Sequence, residues 1–372
     1  MADHSSRIRP RSAVIIGAGA AGGAAAIALA RLGWQIDLVE SRPFPRAKVC
    51  GEFVSPAATD AFESVLDAYT LNTLGARRVR EITFELGRRS KRVILERPAW
   101  TLSRKTLDAG LLAAAHDLGV AVHQPVRVTA VRHHNQRVEV ETNSQGTLRA
   151  DFVIHADGRG SLDPAGPTPN APGLVGLKCH ARLDRPLGGL IMRAGDGVYC
   201  GGVDVEDGLS TLAMCVTPRR LRRAESDRDR LLASIWPGYE PRIREGPWLA
   251  CGVARSPYRA PGHPRSFRIG NAAAAVDPVG GAGIGVAVWS AVTLAGVLDR
   301  APSAETAQRT FAALYKRRLR TRRPACRAAA MLMMRPKLLA AAWPLIETNR
   351  LPAVDAWTRL TGKRLARSAS TH

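Results

Sequence analysis

The sequence predicts a mixed α/β chain, in which a parallel-sheet domain is interrupted by an antiparallel-sheet domain and followed by a helical tail. Three patterns predict it. Near the N-terminus, a buried strand runs directly into a glycine-rich turn and a helix. Short strand patterns separated by turn residues fill the middle of the chain. After about residue 303, apolar residues recur at helical spacing.

The composition is that of a globular protein with an unusually basic surface. The 372 residues are 45% hydrophobic and 23% charged, enough chain to bury a large core. The 54 Lys and Arg against 32 Asp and Glu give a net charge of +22, which suits nucleic acid, anionic lipid or an acidic protein. A solvated basic surface explains the same charge. We expect no nucleic-acid partner, because aromatics make up only 5% and no nucleic-acid motif is present.

Cysteine usage indicates the compartment. No Cys-x-x-Cys spacing and no histidine cluster accompany the six cysteines, which are Cys50, Cys179, Cys200, Cys215, Cys251 and Cys326. We therefore expect no metal site and no disulfide framework, and a reducing cytoplasm fits best.

The N-terminal motif is a dinucleotide-binding fingerprint of the Rossmann type. A strand at 13–16 leads into Gly17-Ala18-Gly19-Ala20-Ala21-Gly22, a helix at 23–32, a strand at 35–39 and then Glu40. Gly17 permits the tight turn, Gly19 lets the backbone approach a pyrophosphate and Gly22 lets helix and strand pack closely. The helix N-terminus attracts phosphates, and Glu40 accepts hydrogen bonds from ribose hydroxyls.

Two later motifs add to it. A strand pattern ends in Ala156-Asp157-Gly158 and continues to Ser161. Farther on, Gly270-Asn271-Ala272-Ala273 precedes a glycine-rich loop from Pro278 to Gly285 that opens a helix at 286–298. Such a helix start favours an anion or another electron-rich group. The uncharged runs at 12–30 and 278–298 look like a signal peptide and a membrane span, but their hydropathy is weak and these motifs explain them better.

In combination, these motifs resemble the FAD-dependent oxidoreductases of the para-hydroxybenzoate hydroxylase-like superfamily. That superfamily includes aromatic monooxygenases, geranylgeranyl reductases and flavin halogenases. The resemblance spans roughly residues 12–300 and implies FAD as cofactor, with NADH or NADPH as reductant. The cofactor-binding residues that it implies are Gly17, Gly19, Ala20, Ala21, Gly22, Glu40, Arg42, Arg104, Val128, Asp157, Gly158, Gly270, Asn271, Pro278, Gly281, Gly283 and Ile284.

Three of these positions have specific implications. Arg104 opens a helix in an Arg-x-x-Leu-Asp type of element, which the resemblance places near the cofactor phosphates. Val128 stands where the superfamily makes a backbone contact to adenine. Asn271 replaces the usual Asp, so a hydrogen bond to the cofactor is retained without the charge, and weaker FAD retention is expected.

The branch of the superfamily is left open by the motifs. Lys48-Val49-Cys50-Gly51 resembles a segment of the geranylgeranyl reductases that passes near the flavin, so Cys50 is either a group beside the flavin or a small buried thiol. Glu52 is a candidate acid or base. The aromatic-Trp-x-Phe-Pro segment of those reductases has no good counterpart, and the Trp-x-Trp-x-Ile-Pro motif of the halogenases is missing.

The remaining patterns give the domain boundaries. Strands are predicted at 79–86 and 91–96, as a hairpin, and at 173–182, 187–193, 198–205 and 209–216. The expected division is an FAD-binding domain in three parts at 1–78, 99–165 and 256–302, a substrate-domain hairpin at 79–98, a substrate domain at 166–255 and a basic helical C-terminal region at 303–372.

The C-terminal region places basic residues at 316–323 beside an apolar, methionine-rich segment at 331–343. This suits an interfacial helix on anionic lipid, hence a peripheral membrane location, and equally the docking of an acidic carrier protein. A solvated basic face with a methionine-rich core contact is the third interpretation.

The resemblance and the residue patterns together leave three predicted functions. The leading prediction is an NAD(P)H-dependent monooxygenase that acts on an apolar secondary-metabolite or lipid-like small molecule. The second is a flavin-dependent reductase of carbon–carbon double bonds, which the Lys48–Gly51 segment favours. The third is a non-catalytic lipid-binding or carrier-docking protein that retains the fold.

Overall fold

The computed structural model describes residues 11–158 and 170–347, with the side chains of the second range described from residue 173. Ser161 of the predicted motif and the end of the predicted tail therefore lie outside the described residues. The strands are β1 Ser12–Ile16, β2 Gln35–Val39, β3 Phe53–Val54, β4 Arg77–Leu86, β5 Arg89–Thr101, β6 Ala121–His123, β7 Val128–His133, β8 Val138–Thr142, β9 Thr147–Ala150, β10 Phe152–His155, β11 Asn170–Ala181, β12 Leu190–Gly195, β13 Val198–Asp204, β14 Ser210–Val216, β15 Arg244–Ala254 and β16 Ser266–Arg268. The helices are α1 Ala20–Ala30, α2 Thr59–Glu63, α3 Ala68–Thr73, α4 Arg104–Asp117, α5 Pro218–Arg223, α6 Arg228–Ala233, α7 Gly283–Arg300, α8 Ala304–Leu319, α9 Arg322–Met333 and α10 Pro336–Glu347.

A five-stranded parallel sheet carries the glycine fingerprint. Its order is β16-β10-β1-β2-β6, with the fully buried β1 at the centre. Helix α1 packs against α4 and α7. It begins at Ala20, three residues before the predicted start, because its small residues can follow the turn at once. The carboxyl ends of β1, β2 and β10 therefore open towards one edge, where ligands bind in sheets of this kind.

A second sheet of eight strands forms the inserted domain. Its order is β15-β11-β14-β13-β12-β4-β5-β3. The predicted hairpin exists as β4 and β5 but is longer, from Arg77 to Thr101. The sheet is not purely antiparallel, since β12 pairs with β4 in parallel. This pair forms because two strands far apart in sequence enter the sheet from the same end. Strand β15, which the sequence patterns did not predict, completes the far edge.

Residues 128–150 form a small sheet of their own, which was predicted only as part of the FAD-binding domain. Strands β7, β8 and β9 pair antiparallel in that order. Val138, Val140 and Ala150 join Val14 and Ile16 in one apolar cluster. The small sheet thus packs against β1 and brings Val128, at the start of β7, beside the dinucleotide-binding edge.

Helix α7 explains the uncharged run near residue 290. By length and composition it is long and apolar enough to cross a membrane, but 61% of this apolar segment is buried inside the fold. The tail helices reach a comparable length and apolarity only as a pair, Ala304–Met333 with Pro336–Glu347, and this pair is bent by 110°. Ala287, Ala291 and Leu294 of α7 belong to the main core together with α1. The hydropathy of this segment therefore reflects core packing.

The helical tail begins where the sequence predicts. The hydroxyl of Ser303 caps α8 by accepting a hydrogen bond from the backbone N–H of Thr306. Phe311 and Tyr315 bury the inner face of α8. In α9 and α10, Met333 and Trp343 pack into the apolar core of the second sheet. Much of the apolar face that would suit lipid binding is thus used inside the protein.

Candidate cofactor and substrate site

One cavity of about 690 Å³ runs between the two sheets. It begins at the glycine turn after β1 and ends on the face of the eight-stranded sheet. Among the predicted residues, those that line it are Gly17, Gly19, Ala20, Ala21, Glu40, Cys50, Glu52, Arg104, Val128, Asp157, Gly158, Asn271, Pro278, Gly281, Gly283 and Ile284. The three motifs, which are far apart in the chain, therefore meet in one site.

The glycine turn has the geometry that the fingerprint requires. Gly17 has φ +98°, and a β-carbon there would lie 2.8 Å from the carbonyl oxygen of Ala156. A β-carbon on Gly22 would lie only 1.7 Å from the carbonyl oxygen of Gly17. Gly22 does not line the cavity, because its role is to let α1 approach the turn from behind. Both assigned roles are thereby confirmed.

Two cations stand over this turn. A β-carbon on Gly19 would lie 3.3 Å from Nζ of Lys48 and 3.5 Å from Nη2 of Arg104. Asp108 holds both, at 2.8 Å from Lys48 and 2.7 Å from Arg104. Burial outweighs the attraction of Asp108 and lowers the pKa of Lys48. Two cations against one carboxylate leave positive charge where a pyrophosphate would approach.

Glu40 lies at the other side of the turn. It is 5% exposed and accepts hydrogen bonds from the backbone N–H of Ala18 at 3.1 Å and from Nη2 of Arg46 at 3.3 Å. Arg42 does not enter the cavity: its side chain is exposed, and only its backbone N–H contacts Glu40. Arg46 lines the cavity instead, and its buried Nε has no hydrogen-bond partner among the described residues.

The N-terminus of α7 forms the third wall. Gly281 has φ +57°, and a β-carbon there would lie 2.8 Å from the ring of Phe53. Because α7 has no side-chain cap, its first backbone N–H groups are directed at the cavity beside Gly283 and Ile284. Asn271 faces the same space. Gly270 does not line it: its N–H bonds to the hydroxyl of Ser290 and its carbonyl accepts from Tyr315, so its role is to hold the loop.

Glu52 is fully buried at the junction of the two domains, in a left-handed backbone conformation with φ 55°. Its carboxylate accepts hydrogen bonds from Lys178, Thr211, Nε2 of His180 at 2.9 Å and the backbone N–H of Arg104 at 2.6 Å. Burial alone would raise its pKa, but the hydrogen bond from His180 and the charge of Lys178 lower the pKa of Glu52 to about 2.

A carboxylate held by four donors is suited to joining the domains, and its role as an acid or base stays a prediction. Cys50 is half-buried at the cavity wall, and its sulfur accepts a 3.4 Å hydrogen bond from the backbone N–H of Glu52. Cys50 therefore lines the cavity, and its place beside the flavin stays a prediction.

The far end of the cavity is an apolar chamber on the eight-stranded sheet. Its side chains are Leu190, Met192, Tyr199, Cys215, Leu249, Val253 and Val276. A polar group is held at its margin, where the hydroxyl of Tyr199 donates a 3.1 Å hydrogen bond to Asp277 and Asp277 pairs with Arg255.

The sequence patterns did not identify Asp277, the position of Lys48 over the glycine turn, or the residues of the chamber. The available signals were the basic residues that closely follow Glu40 and the inward-facing alternation of β12, β13 and β14. No group of three or more His, Cys, Asp or Glu that could hold a metal ion occurs within 11–158 and 170–347.

Comparison with known proteins adds the family. Residues 11–164 match the FAD binding domain family. The structure of PqsL, described as a probable FAD-dependent monooxygenase from Pseudomonas aeruginosa, shares the fold with a TM-score of 0.76 at 16% identity, over 90% of this chain and all of that one. The domain match and the shared fold agree with the predicted resemblance to the para-hydroxybenzoate hydroxylase-like superfamily.

Two curated relatives align with the chain over different lengths. A probable 2-heptyl-3-hydroxy-4(1H)-quinolone synthase of Rhodococcus erythropolis is 32% identical over 154 residues, 40% of this chain and 39% of that protein. The match therefore spans about two fifths of the relative's length. A menaquinone reductase of Mycolicibacterium smegmatis is 28% identical over 306 residues, 73% of this chain and 72% of that one.

The residues present fit the FAD of this superfamily. The turn at Gly19 is open to a close ligand, and Lys48 and Arg104 stand where the pyrophosphate would lie. Glu40 and the unpartnered Nε of Arg46 are placed for the adenosine side. The first N–H groups of α7 are placed for the electron-rich edge of the flavin ring.

Proposed function

We propose that the protein is an FAD-dependent monooxygenase that takes its electrons from NADH or NADPH and oxygenates an apolar small molecule. The observation that carries the proposal is the continuity of one cavity, from the cationic glycine turn to an apolar chamber. Bound FAD would supply the redox chemistry and the reaction with oxygen. The free state of all six cysteines agrees with a reducing cytoplasmic location.

The chain's own residues bind, orient and exclude water. Lys48 and Arg104 offset the charge of the cofactor phosphates, and the end of α7 favours negative charge at the flavin edge. Leu190, Met192 and Val253 give the substrate a wall without hydrogen-bonding groups, which keeps water from the reacting centre. An apolar substrate is therefore proposed, with any polar substituent directed at the Tyr199 and Asp277 margin.

A second candidate function is reduction of a quinone or of a carbon–carbon double bond. The alignment with the menaquinone reductase extends over 73% of the chain, whereas the alignment with the quinolone synthase covers only 40%. The longer alignment takes in more than the FAD-binding domain match at 11–164. The Lys48-Val49-Cys50-Gly51 segment favours the same candidate.

A monooxygenase incorporates an oxygen atom into its product, whereas a reductase does not. FAD-saturated protein is given NADH or NADPH with a 4-quinolone or a menaquinone analogue under isotopically labelled oxygen, and products are read by mass spectrometry. Label in the quinolone product supports the monooxygenase. Reduction of the quinone without oxygen and without label supports the reductase. A protein that retains no FAD and oxidises neither nucleotide contradicts both and supports the non-catalytic binding role.

A matched pair of variants tests whether the substrate occupies the chamber. Met192→Trp fills the chamber from β12, whereas Met331→Trp adds the same bulk on the exposed face of α9, where Met331 is 44% exposed. We expect the first variant to lose substrate turnover while it keeps its FAD spectrum, and the second to behave like the native protein. Equal turnover in both variants would show that substrate does not enter this chamber.

A further inference from the structure

A second cavity, of about 530 Å³, lies away from the first, where the end of α8 and the start of α9 pack on α7. Three arginines line it, Arg317 and Arg318 from α8 and Arg322 from α9, together with the indole of Trp289 and the side chain of Thr321. No carboxylate lines this cavity in the described part of the chain. Half of the basic residues at 316–323, which the first site does not use, therefore line a concave space.

The charges in this cavity lack a counter-ion among the described residues. Arg318 is half-buried, donates a 2.8 Å hydrogen bond from Nη2 to the carbonyl of Ala57, and lies 5.1 Å over the Trp289 ring. Its buried Nε has no hydrogen-bond partner among the described residues. Burial, and next the charge of Arg322, lower the pKa of Arg318 to about 10. Burial also lowers the pKa of Arg322.

Such an arrangement is costly without an anion. Half-buried like charges repel each other, and a buried donor without a partner loses the hydrogen bonds of water. Guanidinium groups match the oxygens of a phosphate group and bind them in pairs. The volume exceeds that of a single ion and lies in the range of small-molecule sites, and the indole gives it one flat apolar wall.

We propose that this cavity binds the phosphate group of a small phosphorylated ligand. The arginines would hold the phosphate oxygens, and the rest of the ligand would lie along Trp289. The site is separate from the cavity that carries the glycine turn and does not depend on the reaction proposed for it. The same phosphate chemistry could come from a free phosphorylated molecule or from a lipid headgroup.

The test uses pyrophosphate as the probe, titrated by calorimetry into FAD-saturated protein in a buffer free of phosphate and sulfate. We expect saturable binding that Arg322→Gln weakens at least tenfold. Arg322 is the preferred change because Arg318 also holds α8 to the carbonyl of Ala57. The matched control is Arg320→Gln, an exposed arginine that does not line the cavity, with the same loss of charge and binding like the native protein.

The melting temperature shows whether Arg322→Gln loses binding because it folds incorrectly. Arg322→Gln removes a like charge next to Arg318, so its melting temperature without probe should equal or exceed that of the native protein. Pyrophosphate should raise the melting temperature of the native protein and of Arg320→Gln but not that of Arg322→Gln. No saturable binding by the native protein, or the same loss in Arg322→Gln and Arg320→Gln, overturns the proposal.

Vesicles distinguish the two sources of phosphate. Native protein and both variants are pelleted with phosphatidylglycerol vesicles and with phosphatidylcholine vesicles. Binding to anionic vesicles that is lost only in Arg322→Gln assigns the phosphate to a lipid headgroup. Pyrophosphate binding without vesicle binding assigns it to a free ligand. Vesicle binding that both variants weaken equally, with no pyrophosphate binding, shows general surface charge and contradicts the site.

Discussion

The hydroxyl of Tyr199 donates a 3.1 Å hydrogen bond to Oδ1 of Asp277, across the boundary between the substrate sheet and the FAD-binding domain. Both side chains are buried, and the second oxygen of Asp277 pairs with Arg255. Burial raises the pKa of Tyr199 well above its usual range, so the phenol remains a donor at neutral pH. This hydrogen bond therefore helps to hold two walls of the cavity together.

Removing the Tyr199 hydroxyl should weaken the contact between the substrate sheet and the FAD-binding domain and should lower the stability only modestly. We expect Tyr199→Phe to lower the free energy of unfolding by about 1 kcal/mol, because Asp277 retains its ion pair with Arg255. Asp277→Asn should cost more, since it leaves the charge of Arg255 without its partner. Denaturant titration of both variants measures the difference, and an equal loss would show that the ion pair contributes nothing.

The glycine turn offers a contrast between cofactor binding and folding. A β-carbon on Gly19 meets only the side-chain ends of Lys48 and Arg104, whereas one on Gly22 meets the backbone at 1.7 Å. We therefore expect Gly19→Ala to keep the native melting temperature but retain FAD at least tenfold more weakly. Gly22→Ala should lower the melting temperature.

The control for both is Gly262→Ala, because Gly262 has open space around it. Visible absorbance after gel filtration reports FAD retention and circular dichroism reports folding. Native FAD retention in Gly19→Ala would argue against a pyrophosphate at this turn.

Lys48 is expected to bind the cofactor and to contribute little to the fold. Asp108 keeps two hydrogen bonds from Arg104 when Lys48 is removed. Lys48→Met should therefore weaken FAD binding about tenfold or more, because one charged hydrogen bond to the cofactor is lost. The stability of the protein should change little. Lys105→Met, which removes an exposed lysine nearby, is the matched control. Fluorescence titration with FAD would reveal whether the two variants differ.

The buried pair of Lys178 and Glu52 should show strong coupling. Lys178 is 1% exposed, so Lys178→Met leaves a buried carboxylate without its ion-pair partner and should cost about 3–5 kcal/mol. The double variant Glu52→Gln with Lys178→Met should recover part of that loss, because no unpaired charge remains. Simple addition of the two single effects in a double-mutant cycle would contradict this coupling.

Glu52 also predicts a pH dependence of stability. Its pKa is about 2 in the folded protein against an ordinary value of 4.5, so the unfolded chain binds the proton first as pH falls. The stabilisation is therefore complete above about pH 4.5 and is lost as pH falls towards 2. A shift of this size corresponds to about 3 kcal/mol. The free-energy difference between native protein and Glu52→Gln should shrink over that interval, and a constant difference would exclude Glu52 as its source.

The local motifs could be predicted because each depends on neighbours in the sequence. The turn at Gly17 needs a positive φ, α8 needs the cap at Ser303, and the burial of β1 follows from its unbroken apolar run. Most of the predicted cofactor residues line the cavity for this reason. Arg42 does not, since which arginine of a basic loop turns inward depends on Glu40 and Phe44 contacting Arg46.

The sequence alone determined the nucleotide-binding turn and most of the order of strands and helices, because these rest on backbone geometry and short-range hydrophobic patterns. Only the tertiary structure decided which distant side chains meet. It placed Lys48 of one loop over Gly19 of another, joined Glu52 to Lys178 and closed Tyr199 onto Asp277. These contacts arise from sheet packing between domains, and no spacing along the chain specifies which charges become neighbours there.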